Sequence, residues 1–165
     1  MRGGLSHNGA DAATRGEPES MQDVTIREMT PDDYDAVTRV WTDAGLPYRP
    51  RGRDRREKVQ TEMERGTALF FVAEAPGEIV GVVLGTHDGR RAWVNRLAVT
   101  PACQRQGVAR RLVREVEARA DALGIDIVAA LIESDNENSL AFFREIEYLH
   151  SEEVEYVSKR RSPDT

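Results

Sequence analysis

The sequence predicts a single α/β domain: a mixed sheet with helices packed on both faces. Three observations carry this expectation. The hydrophobic period switches repeatedly between helical and strand spacing, in the order β-α-α-β-β-β-α-β-α-β. The chain has 165 residues, the size of one domain. One run near its middle is apolar on both faces toward its end, as a central strand should be.

Residues 24–28, VTIRE, alternate apolar and polar like a half-buried strand. Thr30-Pro31-Asp32-Asp33 then announces a helix, with Thr30 as cap, Pro31 in the first turn and two acids at the positive end. Tyr34, Val37 and Trp41 continue at helical spacing, and Gly45 ends the element. A second, more polar helix carries Val59 and Met63 inward and stops at Gly66. Residues 68–75 (ALFFVAEA) and 79–86 (IVGVVLGT) are strands joined by the turn Ala75-Pro76-Gly77-Glu78. Asp88-Gly89 signals a hairpin into residues 92–99, AWVNRLAV, the central strand. A helix over 108–123 aligns Val108, Leu112, Val113, Val116, Ala120 and Leu123 on one face, closed by Gly124. Residues 126–132, DIVAALI, form another strand; a short helix spans 137–146, and a closing strand spans 154–159.

Composition bounds the function. No apolar run approaches the roughly 20 residues that span a bilayer, so no membrane partner is expected. Residues 1–22 are polar and Gly-rich and are expected to be a disordered leader, with an upstream start codon before Met21 as one origin and a targeting arm as the alternative. The domain itself is expected over 23–161, with a tail at 162–165. Cys103 is the single cysteine, which rules out an internal disulfide and metal sites built on Cys pairs; no metal is expected. An intracellular, reducing location follows as the simpler expectation, and with it the cytoplasm. The net charge of −6 comes from scattered acids and argues against a nucleic-acid surface. One basic cluster breaks the pattern: Arg49, Arg51, Arg53, Arg55 and Arg56, with Lys58 behind them. Such a run is either a solvated face or a device that recruits an acidic substrate.

The stretch VNRLAVTPACQRQGVARRLV carries the chemistry. A buried strand runs out at Val99 and a helix begins near Val108. Between them lie Gln104, Arg105, Gln106 and Gly107, with Ala109 and Arg110 in the helix's first turn. Such a crossing aims several free N–H groups at one spot, at the positive end of a helix dipole. Gly107 can take φ > 0 and admit a ligand closely; Ala109 keeps the first turn slim, and Arg105, Arg110 and Arg111 add positive charge. The result is a candidate pyrophosphate cradle. It lacks the Lys-Ser/Thr pair of a P-loop and the three glycines of a dinucleotide fold. A plain helix entry with a surface glycine would share these features, and the loop alone does not separate the two.

With its flanks, the segment resembles the GNAT superfamily of N-acetyltransferases. The resemblance rests on Leu97-Ala98-Val99-Thr100-Pro101, on the Gln-x-x-Gly-x-Ala loop from Gln104 to Ala109, and on Asn136, Ser139, Phe142, Phe143, Glu147 and Tyr148 at the spacing of the family's second motif. It covers nearly the whole chain beyond the leader. It implies a central, mostly antiparallel sheet splayed at a cofactor cleft, and acetyl-CoA as co-substrate. It also implies roles for individual residues. The strand edge at Leu97, Ala98 and Val99 would pair with the pantetheine arm. N–H groups of Gln104, Arg105, Gln106, Gly107, Val108 and Ala109 would hold the pyrophosphate, with Arg110 beside them. Asn136 would contact the cofactor arm, cap the following helix, or do both. Phe143 would lie near the sulfur.

Two departures bear on mechanism. Phe143 stands where the family often has a Tyr able to protonate the leaving thiolate, and Glu147 replaces a usual Gly. A CoA thiolate is a tolerable leaving group, since thiol pKa values sit near 8.5. The implied reaction is direct attack of a neutral primary amine on the thioester, with both substrates bound together. An alkylamine with a pKa near 10.4 must first lose a proton, at a cost of roughly 4–5 kcal/mol at pH 7, so a base would help. Glu133, at the end of the strand beside the cleft, is the first candidate, with Asn95 ordering a water; a solvated surface Glu is the plain alternative. His87 and His150 are expected to be exposed polar residues. Cys103 would matter only in a covalent route, which direct transfer makes unnecessary. The acceptor is expected to be the amine of a small molecule, a peptide or a protein, with a homodimer in keeping with the family. A CoA-binding sensor or interaction module without activity is the rival from another class.

Overall fold

The computed structural model describes residues 23–161. The leader expected over 1–22 and the tail at 162–165 lie outside the described residues. The elements run β1 (Thr25–Glu28), α1 (Tyr34–Asp43), α2 (Arg56–Met63), β2 (Ala68–Ala75), β3 (Glu78–His87), β4 (Ala92–Val99), α3 (Val108–Ala122), β5 (Val128–Ala130) and α4 (Glu137–Glu145). The strands form one sheet in the order β1-β2-β3-β4-β5. The first four pair antiparallel, and β5 joins β4 in parallel.

The alternation of β2, β3 and β4 sends side chains to two separate apolar layers. On one face, Val37, Val40 and Trp41 of α1 and Val59 of α2 pack on Phe70, Val72, Val82, Leu84 and Ala98. On the other, Val108, Leu112, Val113 and Val116 of α3 pack on Phe71, Ala73, Val83, Val94 and Val99, with Phe143 of α4 alongside. Glycines in β3 let α3 approach closely. A Cβ at Gly81 would stand 3.1 Å from both Leu112 and Val108, and one at Gly85 would stand 2.8 Å from the Leu69 carbonyl oxygen. Helices therefore cover both faces, as expected.

Two irregularities shape the region around β4. Its ladder with β3 pairs Leu84 with Asn95 and Val82 with Ala98, so Val83 faces both Arg96 and Leu97. This is a β-bulge, and Arg96 sits in it at φ 50°. On its other side β4 pairs with β5 only at Ala92, Trp93 and Val94. From Asn95 onward that edge has no strand partner among the described residues, because β5 ends at Ala130 and leads toward α4. The sheet is splayed there.

Several boundaries differ from expectation. The strand expected over 126–132 shrinks to three residues, because pairing stops where the two chains diverge. The first helix opens with a 3-10 turn at Pro31–Asp33 before becoming α-helical at Tyr34. The second stops at Met63, three residues before Gly66. The closing strand over 154–159 does not form: Val154 is 70% and Val157 88% exposed. With β5 so short, no long edge is offered for it to pair with, and its apolar residues find nothing to cover them. The turn after α4, where Glu147 replaces the family's usual Gly, forms nonetheless. Glu147 takes φ 69°, and the Tyr148 N–H donates to the Phe143 carbonyl at 2.9 Å.

Candidate functional site

The loop between β4 and α3 is tied down by its own side chains. The Gln104 amide donates to the Val99 carbonyl at 2.9 Å, and the Gln106 amide donates to the Ala102 carbonyl at 2.8 Å. Between them Arg105 takes φ 59°, and Gly107 follows at φ 82° as the residue capping α3. Arg111 is the first residue to bond back into α3, its N–H reaching the Gly107 carbonyl at 3.0 Å. The N–H groups of Gln106, Gly107, Val108, Ala109 and Arg110 have no acceptor among the described residues. Exposed donors at a helix N-terminus suit an anion. Of the flanking charges, the Arg110 side chain is committed to Glu145 of α4 at 2.7 Å. Cys103 is buried in the core behind the loop, away from solvent.

The cradle opens onto the splayed part of the sheet. There the β4 edge at Leu97, Ala98 and Val99 has no strand partner among the described residues, and the chain beyond β5 leads into α4 as a second wall of the proposed cleft. Glu133 and Asn136 lie on that second wall, both exposed. Asn136 caps α4, its side-chain oxygen accepting from the Ser139 N–H at 3.0 Å. Phe143 is buried, edge-on to Phe142 at 5.1 Å and to Tyr148 at 4.9 Å between ring centroids. The Tyr148 hydroxyl donates to Glu117 of α3 at 2.9 Å. Burial, and then that carboxylate, push its pKa above the usual phenol value. It is thus held as a donor to α3. Asn95 donates to the Thr86 hydroxyl across the β3–β4 ladder at 3.2 Å. His87 lies at the far end of β3, paired with the first residue of β4, its Nε2 3.0 Å from the Gly66 carbonyl oxygen. His150 is exposed beyond α4. Neither histidine adjoins the cradle.

Sequence reasoning passed over one pair. Arg96, in the bulge, reaches the α1–α2 connection and forms an ion pair with Asp54, whose side chain is 7% exposed. Its Nε donates to Asp54 at 3.1 Å, another guanidinium nitrogen donates to the Pro47 carbonyl at 2.5 Å, and the group lies 5.3 Å from the Trp41 ring. Asp54 also accepts the Arg49 N–H at 2.7 Å, and its carbonyl accepts from the Tyr34 hydroxyl at 2.7 Å. The only signal was a charged residue inside an otherwise apolar strand.

The comparisons with known proteins bear on what this arrangement is. The model of the Acetyltransferase (GNAT) family matches residues 29–148, which span every element from the first helix to the turn after α4. The chain belongs to the GNAT acetyltransferase family. As a GNAT protein it is an acyltransferase, an enzyme. An acetyltransferase of Sodalis glossinidius (strain morsitans) is 29% identical over 139 residues, covering 84% of this chain and 96% of that one. An acetyltransferase of Pectobacterium atrosepticum is 32% identical over 123 residues, covering 74% and 86%. Among solved structures, the aminoglycoside acetyltransferase meta-AAC0020 from an uncultured soil sample, in complex with trehalose, superposes with a TM-score of 0.72 at 19% identity. That match covers 87% of this chain and 100% of the other. The aminoglycoside N-acetyltransferase AAC(6')-Iy, bound to a CoA bisubstrate analogue, superposes at 0.70 with 18% identity, covering 83% and 98%. At those identities the structures share the GNAT fold with this chain. Among the described residues no helix is long and apolar enough to cross a membrane.

Proposed function

We propose that this GNAT protein transfers an acetyl group from acetyl-CoA to a primary amine of a small molecule or peptide, by direct attack with both substrates bound. The observation that carries the reading is the row of unengaged N–H groups at the start of α3, opening onto the splayed edge of β4. Those from Gln106 to Ala109, with Arg105 beside them, would hold the diphosphate; the Gln104 N–H, expected to share that role, instead donates to the Pro101 carbonyl at 3.3 Å. The β4 edge at Leu97, Ala98 and Val99 would pair with the amide groups of the pantetheine arm and carry the thioester toward the bulge. An N–H of that edge would polarise the carbonyl oxygen as charge builds on it. Arg110, paired with Glu145, would contribute through the field around the loop. Phe143 would form an apolar floor for the sulfur.

Glu133 is the residue proposed to take the amine proton, directly or through a water. It stands where the second wall leaves β5, and Asn95 faces the acceptor side from β4. Asn95 donates to Thr86, which leaves its carbonyl oxygen to order that water. With Phe143 inert and Tyr148 bonded to Glu117, the thiolate would leave unprotonated or take its proton from solvent. The lack of an acid there also favours a second reading, a CoA-binding sensor without turnover. Thiol release from acetyl-CoA across a panel of primary amines separates the two. Amine-dependent release, reduced in Glu133→Gln, supports transfer. Tight CoA binding with no release for any amine supports the sensor.

A further inference from the structure

The bulge of β4 is bound to a loop that carries far more positive than negative charge. Arg96 and Asp54 neutralise one another in a buried contact, and that contact fixes the backbone at Pro47 and at Arg49. The loop from 46 to 55 is therefore pinned where the free edge of β4 begins. On it stand Arg51, Arg53 and Arg55, all exposed, and Arg53 approaches the same Asp54 carboxylate at 3.9 Å. One buried acid thus faces two guanidinium groups. Burial and the repulsion of Arg53 and Arg49 push the Arg96 guanidinium down to about 10, so it stays charged at neutral pH. The acids Glu133, Asp135 and Glu137 are exposed between β5 and the first turn of α4, on the segment that leaves β4 unpaired beyond Val94. Two charged segments therefore flank the unpaired end of β4: a basic one in the α1–α2 connection, bound to the bulge, and an acidic one between β5 and α4.

A polycationic acceptor would meet repulsion at the basic segment. An amine that also carries an anion can place its ammonium toward the acids and its anion toward the arginines. We propose that the acceptor of this enzyme is an amine bearing a carboxylate or phosphate group, recognised through that anion by the exposed arginines of the 46–55 loop, Arg53 first among them. Exposed guanidinium groups hold anions through long-range attraction that salt screens, and bidentate contact adds geometry. The proposal rests on the acetyl-transfer reading for its place in the reaction, but the recognition step is measurable by itself.

The test uses the full chain, saturated with CoA for binding and with acetyl-CoA for turnover. The probes are matched pairs: β-alanine against β-alaninamide, and 2-aminoethyl phosphate against ethanolamine, with neamine as the polycation. The anionic member of each pair is expected to bind and react about tenfold better at low salt, the effect of two or three exposed ion pairs. The advantage should shrink as salt is raised. In the surface variant Arg51→Ser/Arg53→Ser/Arg55→Ser it should vanish while CoA affinity is unchanged. Equal or better binding of the neutral amines or of neamine overturns the proposal, as does an anion preference that survives the triple variant. If anionic amines bind selectively but no acetyl transfer is seen, the anion site stands and the transfer reading fails.

Discussion

Gly107 holds φ at 82° where the chain turns from the loop into α3, directly beneath the N–H groups assigned to the diphosphate. A side chain there costs roughly 1–2 kcal/mol of backbone strain and places a Cβ beside the donors. Gly107→Val is expected to remain folded, lose about that much stability in a urea titration, and bind CoA at least tenfold more weakly by calorimetry (~1.4 kcal/mol). Glu147 presents the converse case. It occupies the left-handed region at φ 69° with a full side chain. Glu147→Gly is expected to raise stability by about 0.5–1 kcal/mol, seen as a higher thermal midpoint. A lower midpoint would mean that its side chain contributes more than its backbone costs. At this scale the loop was legible, because Gln104, Gly107 and Ala109 are local signals within one turn of chain. The Arg96–Asp54 contact was not, since its partners are 42 residues apart and only the folded sheet brings them together.

The elements are held to one another by a few polar clasps. Arg27 of β1 donates to both carboxylate oxygens of Asp33 at 2.7 and 2.9 Å and to Glu74 of β2 at 2.9 Å. Asp33 in turn accepts the Thr30 N–H at 2.7 Å, which ties the entry of α1 to the sheet. The bond from Arg27, opposed by burial and aided by Thr30, holds the Asp33 carboxyl down at about 2. A depressed carboxyl pKa stabilises the fold above the unfolded value and loses that effect as pH falls through the folded one. Asp33→Asn is therefore expected to cost about 1–2 kcal/mol at pH 7. The deficit should narrow as pH drops from about 4 toward 2, measured by denaturant titrations across that range. The second clasp is Arg96–Asp54. Removing one partner leaves a buried charge alone, worth about 3–5 kcal/mol. Asp54→Ala should lose stability on that scale and speed amide exchange across residues 46–55, with amides near Gly107 unaffected. Element boundaries were readable where local pattern and pairing agree. Residues 68–75 and 92–99 are mostly apolar runs bounded by turn signals, and form β2 and β4 as expected. The strand expected over 154–159 rests on Val154, Tyr156 and Val157 alone, but a strand also needs an edge to pair with, and β5 is three residues long.

In the whole molecule, two apolar layers clamp one sheet, and the site lies where that sheet comes apart. The layers follow from the alternation of the strands and the single apolar stripe of each helix, which is why the arrangement could be read from sequence. The splay could not be read from periodicity, because residues 127–132 are apolar throughout and look like a full-length strand. Only the family resemblance anticipated it. The net charge of −6 conceals the basic segment bound to the bulge of β4, since a sum over the chain says nothing of where charges meet. The central claim concerns the amides that precede and open α3. Titrating the ¹⁵N-labelled protein with CoA and following backbone amide resonances tests it directly. The account predicts that the largest shifts fall on residues 105–110, with smaller ones along 97–99. No binding, or shifts confined to other parts of the molecule, would contradict it.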